Sequence, residues 1–360
     1  MADSSRPGQR LILLYDGTWD DFDDRTNVYR MASAIVPYDG PTRQRFFYQS
    51  GVGTSRGTQL LGGVTGAGLT EILLEGYEWL AKRYEPGDEI WVFGFSRGAY
   101  TARSLAGLIR KCGLLRIVTP KAIHEATRLY RDTDVHPESS NCRQFRSHYS
   151  VPGVDIHFLG VWDTVGALGI PGHALLSRQF FEWHDTELSG IVRHAYQAMA
   201  LDEHREEFDV SLWRGAEKSP GQKKPEQFDV EQRWFVGSHG DVGGGCIHDE
   251  LSQIPLRWMQ EKAMAAGLKL DPVCQPPEGA ELADYFDSYQ QFLGGAYSFM
   301  RAGLTGKTER FHRLFDRVRK SDSSDELVPA INVTIDPSVF RRMQALSYAP
   351  PTLEGRTGMA

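Results

Sequence analysis

The sequence predicts an α/β architecture: an open, mostly parallel sheet with helices on both faces. Short apolar runs of strand length recur along the chain, as strands buried on both sides require. Segments with helical spacing of apolar residues lie between them, so strand and helix alternate. Turn residues bound the runs, as in Asp16-Gly17-Thr18-Trp19 and Pro86-Gly87-Asp88.

Taken in order, Arg10 to Tyr15 is expected as a buried strand and Asn27 to Ile35 as a helix. Arg45 to Gln49 reads as a short strand, and Gly51 to Gly68 as a glycine-rich loop. Leu69, Ile72, Leu73, Tyr77 and Leu80 share one face of a helix over Leu69 to Tyr84. Glu89 to Phe95 is a second buried strand, and the Ala-, Leu- and Arg-rich stretch Ala99 to Cys112 a helix. Asp155 to Trp162 reads as a strand, Ile191 to Leu201 as a helix and Gln232 to Val236 as a strand. The mixture of Lys, Pro, Gly and Gln over Glu206 to Glu231 predicts a surface excursion. A second excursion is expected over 265–330, with Thr308 to Glu326 as a charged, helical surface. Residues 1–9 are expected as a disordered N-terminus, 10–350 as one domain and 351–360 as a flexible tail. No internal repeat or sharp boundary divides the chain.

The 360 residues, 41% of them hydrophobic, suffice for a large core. A net charge of −7 without a long basic run argues against a general nucleic-acid binder, which needs concentrated Lys and Arg to neutralise phosphates. Cys112, Cys142, Cys246 and Cys274 show no CxxC or Cys/His metal spacing and are too few for a disulfide framework. No metal and no cofactor is expected. The polar stretch Met1 to Arg10 and the lack of a span-length apolar window predict a cytoplasmic protein with no transmembrane segment. Export of folded protein and peripheral contact with a membrane remain open.

The chemistry centres on Gly94-Phe95-Ser96-Arg97-Gly98, which lies between the strand Glu89 to Phe95 and the helix that follows. Gly-x-Ser-x-Gly at such a junction makes a strained turn that lifts the serine above the sheet, as in α/β-hydrolase-like folds. The helix start directs the backbone N–H of Arg97 and a favourable dipole toward developing negative charge. Ser96 is therefore the candidate nucleophile; the alternative is a serine serving only as a helix N-cap. Activation of its hydroxyl needs a base and an orienting acid, expected in the order acid, then histidine. Asp163 closes the run Ile156 to Trp162, at the sheet edge where open α/β folds collect their chemistry. His239 follows Arg233 to Ser238 in the same way and leads into a Gly-rich segment. Asp241 is the competing acid. The Asp163 alternative is a turn-capping aspartate, and the remaining histidines have less strand context. Gly17 and Thr18, after the first strand, are candidates for the second oxyanion donor, although Asp16-Gly17 is equally a simple turn.

Other motifs carry less. Gly62 to Gly68 lacks the Gly-Lys-Ser/Thr of a phosphate loop. Asp20, Asp21, Asp23 and Asp24 read as a solvated loop before a cation site. Trp162, Trp183, Trp213, Trp234 and Phe180-Phe181 read mainly as core, with an apolar acyl pocket as the alternative.

Leu14-Tyr15-Asp16-Gly17-Thr18-Trp19, the string Gly94 to Arg103, Gly160-Val161-Trp162-Asp163-Thr164-Val165-Gly166 and Ser238 to Gly245 together resemble one family. It is the largely uncharacterised α/β-hydrolase domain family that includes phospholipase effectors of type VI secretion, and the resemblance spans roughly residues 10–260. It implies a Ser96, Asp163 and His239 triad and hydrolysis of acyl esters or phospholipids. Its toxin members carry large extra regions for membrane engagement, so an antibacterial role is not implied here. The family pattern has His-Ser-Asp where this chain has His239-Gly240-Asp241. The expected function is a serine hydrolase acting on a small-molecule or lipid ester. A thioesterase or peptidase with the same triad, or an inactive hydrolase-like binding protein, are the alternatives.

Overall fold

In the computed structural model the described residues are 8–17, 25–51, 66–132, 134–166, 187–214, 229–246, 248–291, 297, 309–319 and 326–355. The chain opens with β1 (Arg10–Tyr15), α1 (Asn27–Ala34), the antiparallel pair β2 (Tyr38–Asp39) and β3 (Thr42–Gln49), and α2 (Gly66–Ala81). Then come β4 (Glu89–Phe95), α3 (Arg97–Cys112), β5 (Leu114–Leu115), α4 (Pro120–Arg131), α5 (Ser140–Tyr149), β6 (Ser150–Val151), β7 (Ile156–Trp162), β8 (Val192–Ala200) and β9 (Asp229–Phe235). The last part holds α6 (His239–Gly243), α7 (Glu250–Ala265), the one-turn α8 (Ser288–Gln291), β10 (Arg317–Arg319), β11 (Leu327–Pro329), β12 (Val333–Ile335) and α9 (Pro337–Ala345).

One eight-stranded sheet, in the order β12-β9-β8-β7-β4-β1-β3-β2, organises these elements. Its strand pairs are parallel except β2 with β3. This is the α/β fold expected, with helices on both faces. Side-chain alternation along β1 divides the core: Leu11, Leu13 and Tyr15 pack with α2 and α3, whereas Ile12 and Leu14 pack with α1 and α7. From β1 the chain moves outward to β3, then returns across α2 to β4 on the other side of β1. That reversal opens a crevice at the carboxyl ends of β1 and β4, where ligands bind in open α/β sheets.

The run from Ile191 to Leu201, expected as a helix, is instead β8, hydrogen-bonded to β7 and β9 on either side. Its Ala and Met content favours a helix locally. Between β7 and β9, however, it pairs as a strand whose second half is shut off from solvent, with Ala195, Ala198, Met199 and Ala200 fully buried. His194 accordingly lies on a strand.

Neither excursion is wholly a surface feature. Leu212 and Trp213 are buried, and Gln232 on β9 bonds the Trp213 backbone through both ends of its amide. Residues 215–228 lie outside the described residues. The segment 309–319 is not a helix but an irregular stretch ending in β10. At the N-terminus, Gln9 is tied down by its N–H to Asp88 Oδ1 at 2.8 Å, and residues 1–7 lie outside the described set. At the other end Thr352 and Leu353 are buried, the latter against Met199 and Trp234, so the chain stays packed past 351. Among the described residues no helix is long and apolar enough to cross a membrane.

Candidate active site

Ser96 stands between β4 and α3 with φ +58° and ψ −122°, a left-handed conformation that costs a non-glycine residue roughly 1–3 kcal/mol. The turn is held by Ser96 N–H to the Trp162 carbonyl at 3.1 Å and by Tyr100 N–H to the Ser96 carbonyl at 3.2 Å. Both flanking glycines are required by close approach. A Cβ on Gly94 would lie 2.5 Å from the Gly98 carbonyl oxygen, and one on Gly98 would lie 2.2 Å from that of Tyr15. The end of β1 therefore rests directly on the start of α3, beside the serine.

His239 begins α6 just after β9, with its ring between those of Phe95 and Phe208, at centroid separations of 4.7 and 5.2 Å. Its Nε2 is 2.8 Å from Ser96 Oγ, and its Nδ1 is 2.6 Å from Asp163 Oδ2. Asp163 follows β7 in a left-handed conformation, φ +40°, that turns its carboxylate toward the histidine. The structure thus brings Ser96, His239 and Asp163 from the ends of three strands into one hydrogen-bonded line. Asp163 is fully shut off from solvent, whereas Ser96 and His239 keep 6% and 7% exposure, so the line opens only at the serine end.

The other candidate positions are less uniform. Arg97 is the first residue of α3, where backbone N–H groups point out of the helix start. The Gly17 N–H, expected as an oxyanion donor, is instead directed to its neighbour's Asp16 Oδ1 at 2.8 Å. The other oxygen of Asp16 is also engaged: Oδ2 accepts from Thr26 Oγ1 and Tyr48 Oη, each at 2.6 Å. Thr18 and the acidic run Asp20 to Asp24 lie outside the described residues. Asp241 does not face the His239 ring: its Oδ2 accepts the Ser238 N–H and hydroxyl, both at 2.9 Å, and the Phe286 N–H at 3.0 Å. Trp162, Trp213 and Trp234 are core residues, whereas Trp183 and Phe180-Phe181 fall outside the described residues. Among the described residues no cluster of His, Cys, Asp and Glu could hold a metal.

Four charged residues went unnoticed in the sequence. Arg313 is completely buried and grips Asp163 with both terminal nitrogens, Nη1 to Oδ1 at 2.7 Å and Nη2 to Oδ2 at 2.9 Å. Glu203 and Arg205, just past β8, form a second buried pair at 2.8 Å. Glu203 also accepts the His239 backbone N–H at 3.3 Å and the Ser288 hydroxyl at 3.0 Å. Asp202 accepts the Gly237 N–H at 2.7 Å and the Tyr348 hydroxyl at 2.7 Å, fastening the His239 turn from behind. Had β8 been read as a strand, Asp202-Glu203-His204-Arg205 would have marked its carboxyl end as part of the site. Arg313 had no comparable cue.

Burial alone would raise the Asp163 carboxyl, but the Arg313 charge and the hydrogen bonds from His239 and Arg313 outweigh it and hold it far below the usual carboxylate range. Glu203 is drawn down to about 2 in the same way, against its burial, chiefly by Arg205. For His239 burial dominates and lowers the imidazole pKa, opposed by Asp163 and Glu203 and assisted by Arg205. The imidazole is therefore neutral at neutral pH, as a general base must be.

The description "T6SS, Phospholipase effector Tle1-like, catalytic domain" matches residues 9–262. The chain belongs to this family. A relative in Saccharomyces cerevisiae, "Uncharacterized protein YEL023C", is 32% identical over 229 residues, covering 57% of this chain and 32% of the yeast protein. The chain thus spans about a third of the length of that curated relative. Two solved structures are similar over most of this chain. The Tle1 effector bound to the VgrG spike of the type 6 secretion system has 15% identity and a TM-score of 0.45, over 84% of this chain and 81% of that one. An uncharacterized protein from Pseudomonas aeruginosa has 21% identity and a TM-score of 0.44, over 76% of this chain and 47% of its own.

Proposed function

We propose that this Tle1-like domain is a serine hydrolase that cleaves acyl esters of lipids or phospholipids through an acyl-enzyme. The observation that carries the reading is the unbroken line from Ser96 Oγ through the His239 ring to Asp163 at a strained strand-to-helix turn. Membership of a phospholipase-effector family supports the lipid ester as substrate class.

In the reaction, His239 Nε2 takes the Ser96 proton as Oγ bonds to the ester carbonyl carbon. The carbonyl electrons move onto oxygen, and that oxyanion forms at the start of α3, where the Arg97 N–H is placed to receive it. Asp163 fixes the imidazole with Nδ1–H toward the carboxylate and stabilises its protonated form. The C–O bond to the alcohol then breaks, His239 Nε2–H protonates the departing alkoxide, and the acyl group remains on Ser96. Water attacks that acyl-enzyme by the same steps, with His239 as base and then acid, and releases the fatty acid.

Labelling with a fluorophosphonate is the direct test. Wild-type protein is expected to form a covalent adduct and Ser96→Ala none; an unlabelled wild type overturns the reading. Hydrolysis of p-nitrophenyl esters of increasing chain length then tests the substrate class, and equal rates at every length count against a lipid ester.

A further inference from the structure

The charged cluster behind the triad contains a cation that the reaction as written does not use. Arg313 bonds both oxygens of Asp163 and shares Oδ2 with His239, on a segment that lies beyond the residues matched to the family. That segment is anchored on both sides of the arginine. Phe311 N–H meets the His204 carbonyl at 3.2 Å and His204 Nδ1 lies 3.0 Å from the Phe311 carbonyl, while Trp234 Nε1 donates to the Phe315 carbonyl at 3.1 Å. The guanidinium is aimed by backbone as well: Nη1 donates to the Ala200 carbonyl at 2.7 Å and Nη2 to that of Phe208. Asp163 is saturated as a result. Oδ1 accepts from Ala200 N–H at 2.9 Å and from Arg313, and Oδ2 accepts from His239 and from Arg313.

We propose that Arg313 is a positioning residue of the triad: its two-pronged clamp fixes the plane of the Asp163 carboxylate and offsets its charge, so that His239 is oriented yet stays unprotonated. The argument rests on the triad proposed above. An aspartate with no cation behind it can still bond Nδ1, but the plane of its carboxylate is less fixed, and its whole negative charge then acts on the imidazole in a low-dielectric site and favours the imidazolium before substrate arrives. With Arg313 in place the two charges behind His239 cancel locally. The other groups facing the imidazole also form a closed pair, Glu203 with Arg205, and its remaining neighbours are the neutral Ser96, Phe95 and Phe208. Asp241 lies on the histidine's own turn and bonds Ser238 and Phe286. Arg313 itself also feels Glu203 and Asp209, which with Asp163 keep it protonated.

Charge and shape are separable in variants. Arg313→Lys keeps a cation but cannot span both carboxylate oxygens as the guanidinium fork does, whereas Arg313→Met keeps an unbranched apolar stem and loses the charge. The test is kcat and KM on a soluble p-nitrophenyl ester across pH 5–9, per active site counted by fluorophosphonate labelling. Arg313→Lys is expected to lower kcat on the order of 10²-fold with little change in KM, because misplacement by about 1 Å costs that much. Its acid-limb midpoint stays at the wild-type value. Arg313→Met is expected to move that midpoint upward by about one pH unit, since the uncompensated Asp163 holds the proton on His239.

A merely structural arginine would reduce the labelled fraction and leave both readouts per site unchanged. If Arg313→Met does not fold, the kcat of Arg313→Lys decides alone. Wild-type kcat per labelled site in Arg313→Lys, or an unshifted midpoint in folded Arg313→Met, overturns the proposal. Failure of the triad itself is seen separately, as an unlabelled wild type or a labelled Ser96→Ala.

Discussion

Asp163 and Asp241 are both buried carboxylates close to the turn that carries His239, and they are held in opposite ways. Asp163 leaves the end of β7 and receives a guanidinium, an imidazole and one backbone N–H, which together keep it ionised despite its burial. Asp241 sits in the first turn of α6, where its Oδ2 collects the Ser238 N–H, the Ser238 hydroxyl and the Phe286 N–H. Those donors are neutral, so burial prevails, aided by the nearby Asp202 charge, and the carboxyl is pushed up to about 6. One residue is an anion pointed at a ring nitrogen; the other is a helix cap that resists ionisation. Proximity in sequence to the histidine does not distinguish the two roles. A buried cation and the direction of the carboxylate do.

The sharpest way to break this contrast is to neutralise each acid in turn. Asp163→Asn is expected to reduce kcat/KM by roughly 10⁴-fold, because an amide in that place favours the wrong histidine tautomer. Asp241→Asn keeps an acceptor oxygen for Ser238 and Phe286 and is expected to cost less than about tenfold. Both are read from p-nitrophenyl ester hydrolysis at neutral pH. A larger loss in Asp241→Asn would reverse the assignment of the orienting acid.

What the sequence made visible follows the same divide between local and long-range determinants. The Ser96 turn is legible because its geometry is imposed within five residues, by two glycines that must lie against the neighbouring backbone. Asp163 is legible as the first polar residue after a buried strand, and His239 as the histidine at the exit of another. β8 is not, since its alanines suit a helix in isolation and become a strand only between β7 and β9. Missing β8 also hid the Asp202 to Arg205 run at its end. Arg313 is hidden for a different reason: a charged residue in a charged stretch reads as surface, and only the path of the chain back over β8 and β9 takes it inside.

The two carboxylates also differ in how they tie stability to pH. The folded-state pKa of Asp241, about 6, lies above the unfolded value, so its contribution is complete below about pH 4 and is lost as pH rises through 6. Asp163, lowered in the folded state, does the reverse and loses its contribution as pH falls below about 4. Urea unfolding of Asp241→Asn against wild type is therefore expected to show a stability advantage for the variant that grows from pH 4.5 to 7.5. The advantage levels off on the order of 2 kcal/mol at the upper end. A difference independent of pH would mean that Asp241 ionises normally and that the two acids are alike.

The smallest effect concerns the residue between His239 and Asp241. A Cβ on Gly240 would lie 2.5 Å from Cys246 Sγ. The glycine and the cysteine therefore fit each other, and the contact can relax because it involves the tip of a side chain rather than backbone. Gly240→Ser is expected to cost about 1 kcal/mol of stability from overpacking. Cys246→Ala should be nearly neutral alone and should restore the serine variant, leaving a coupling of about 1 kcal/mol in a double-mutant cycle followed by urea unfolding. Strict additivity would show that Cys246 is not what Gly240 makes room for. Since His239 is held from β9 and by Glu203 as well as by this turn, the cycle should leave the ratio of Asp163→Asn to Asp241→Asn activity unchanged, and a change would tie the packing at Gly240 to the choice between the two acids.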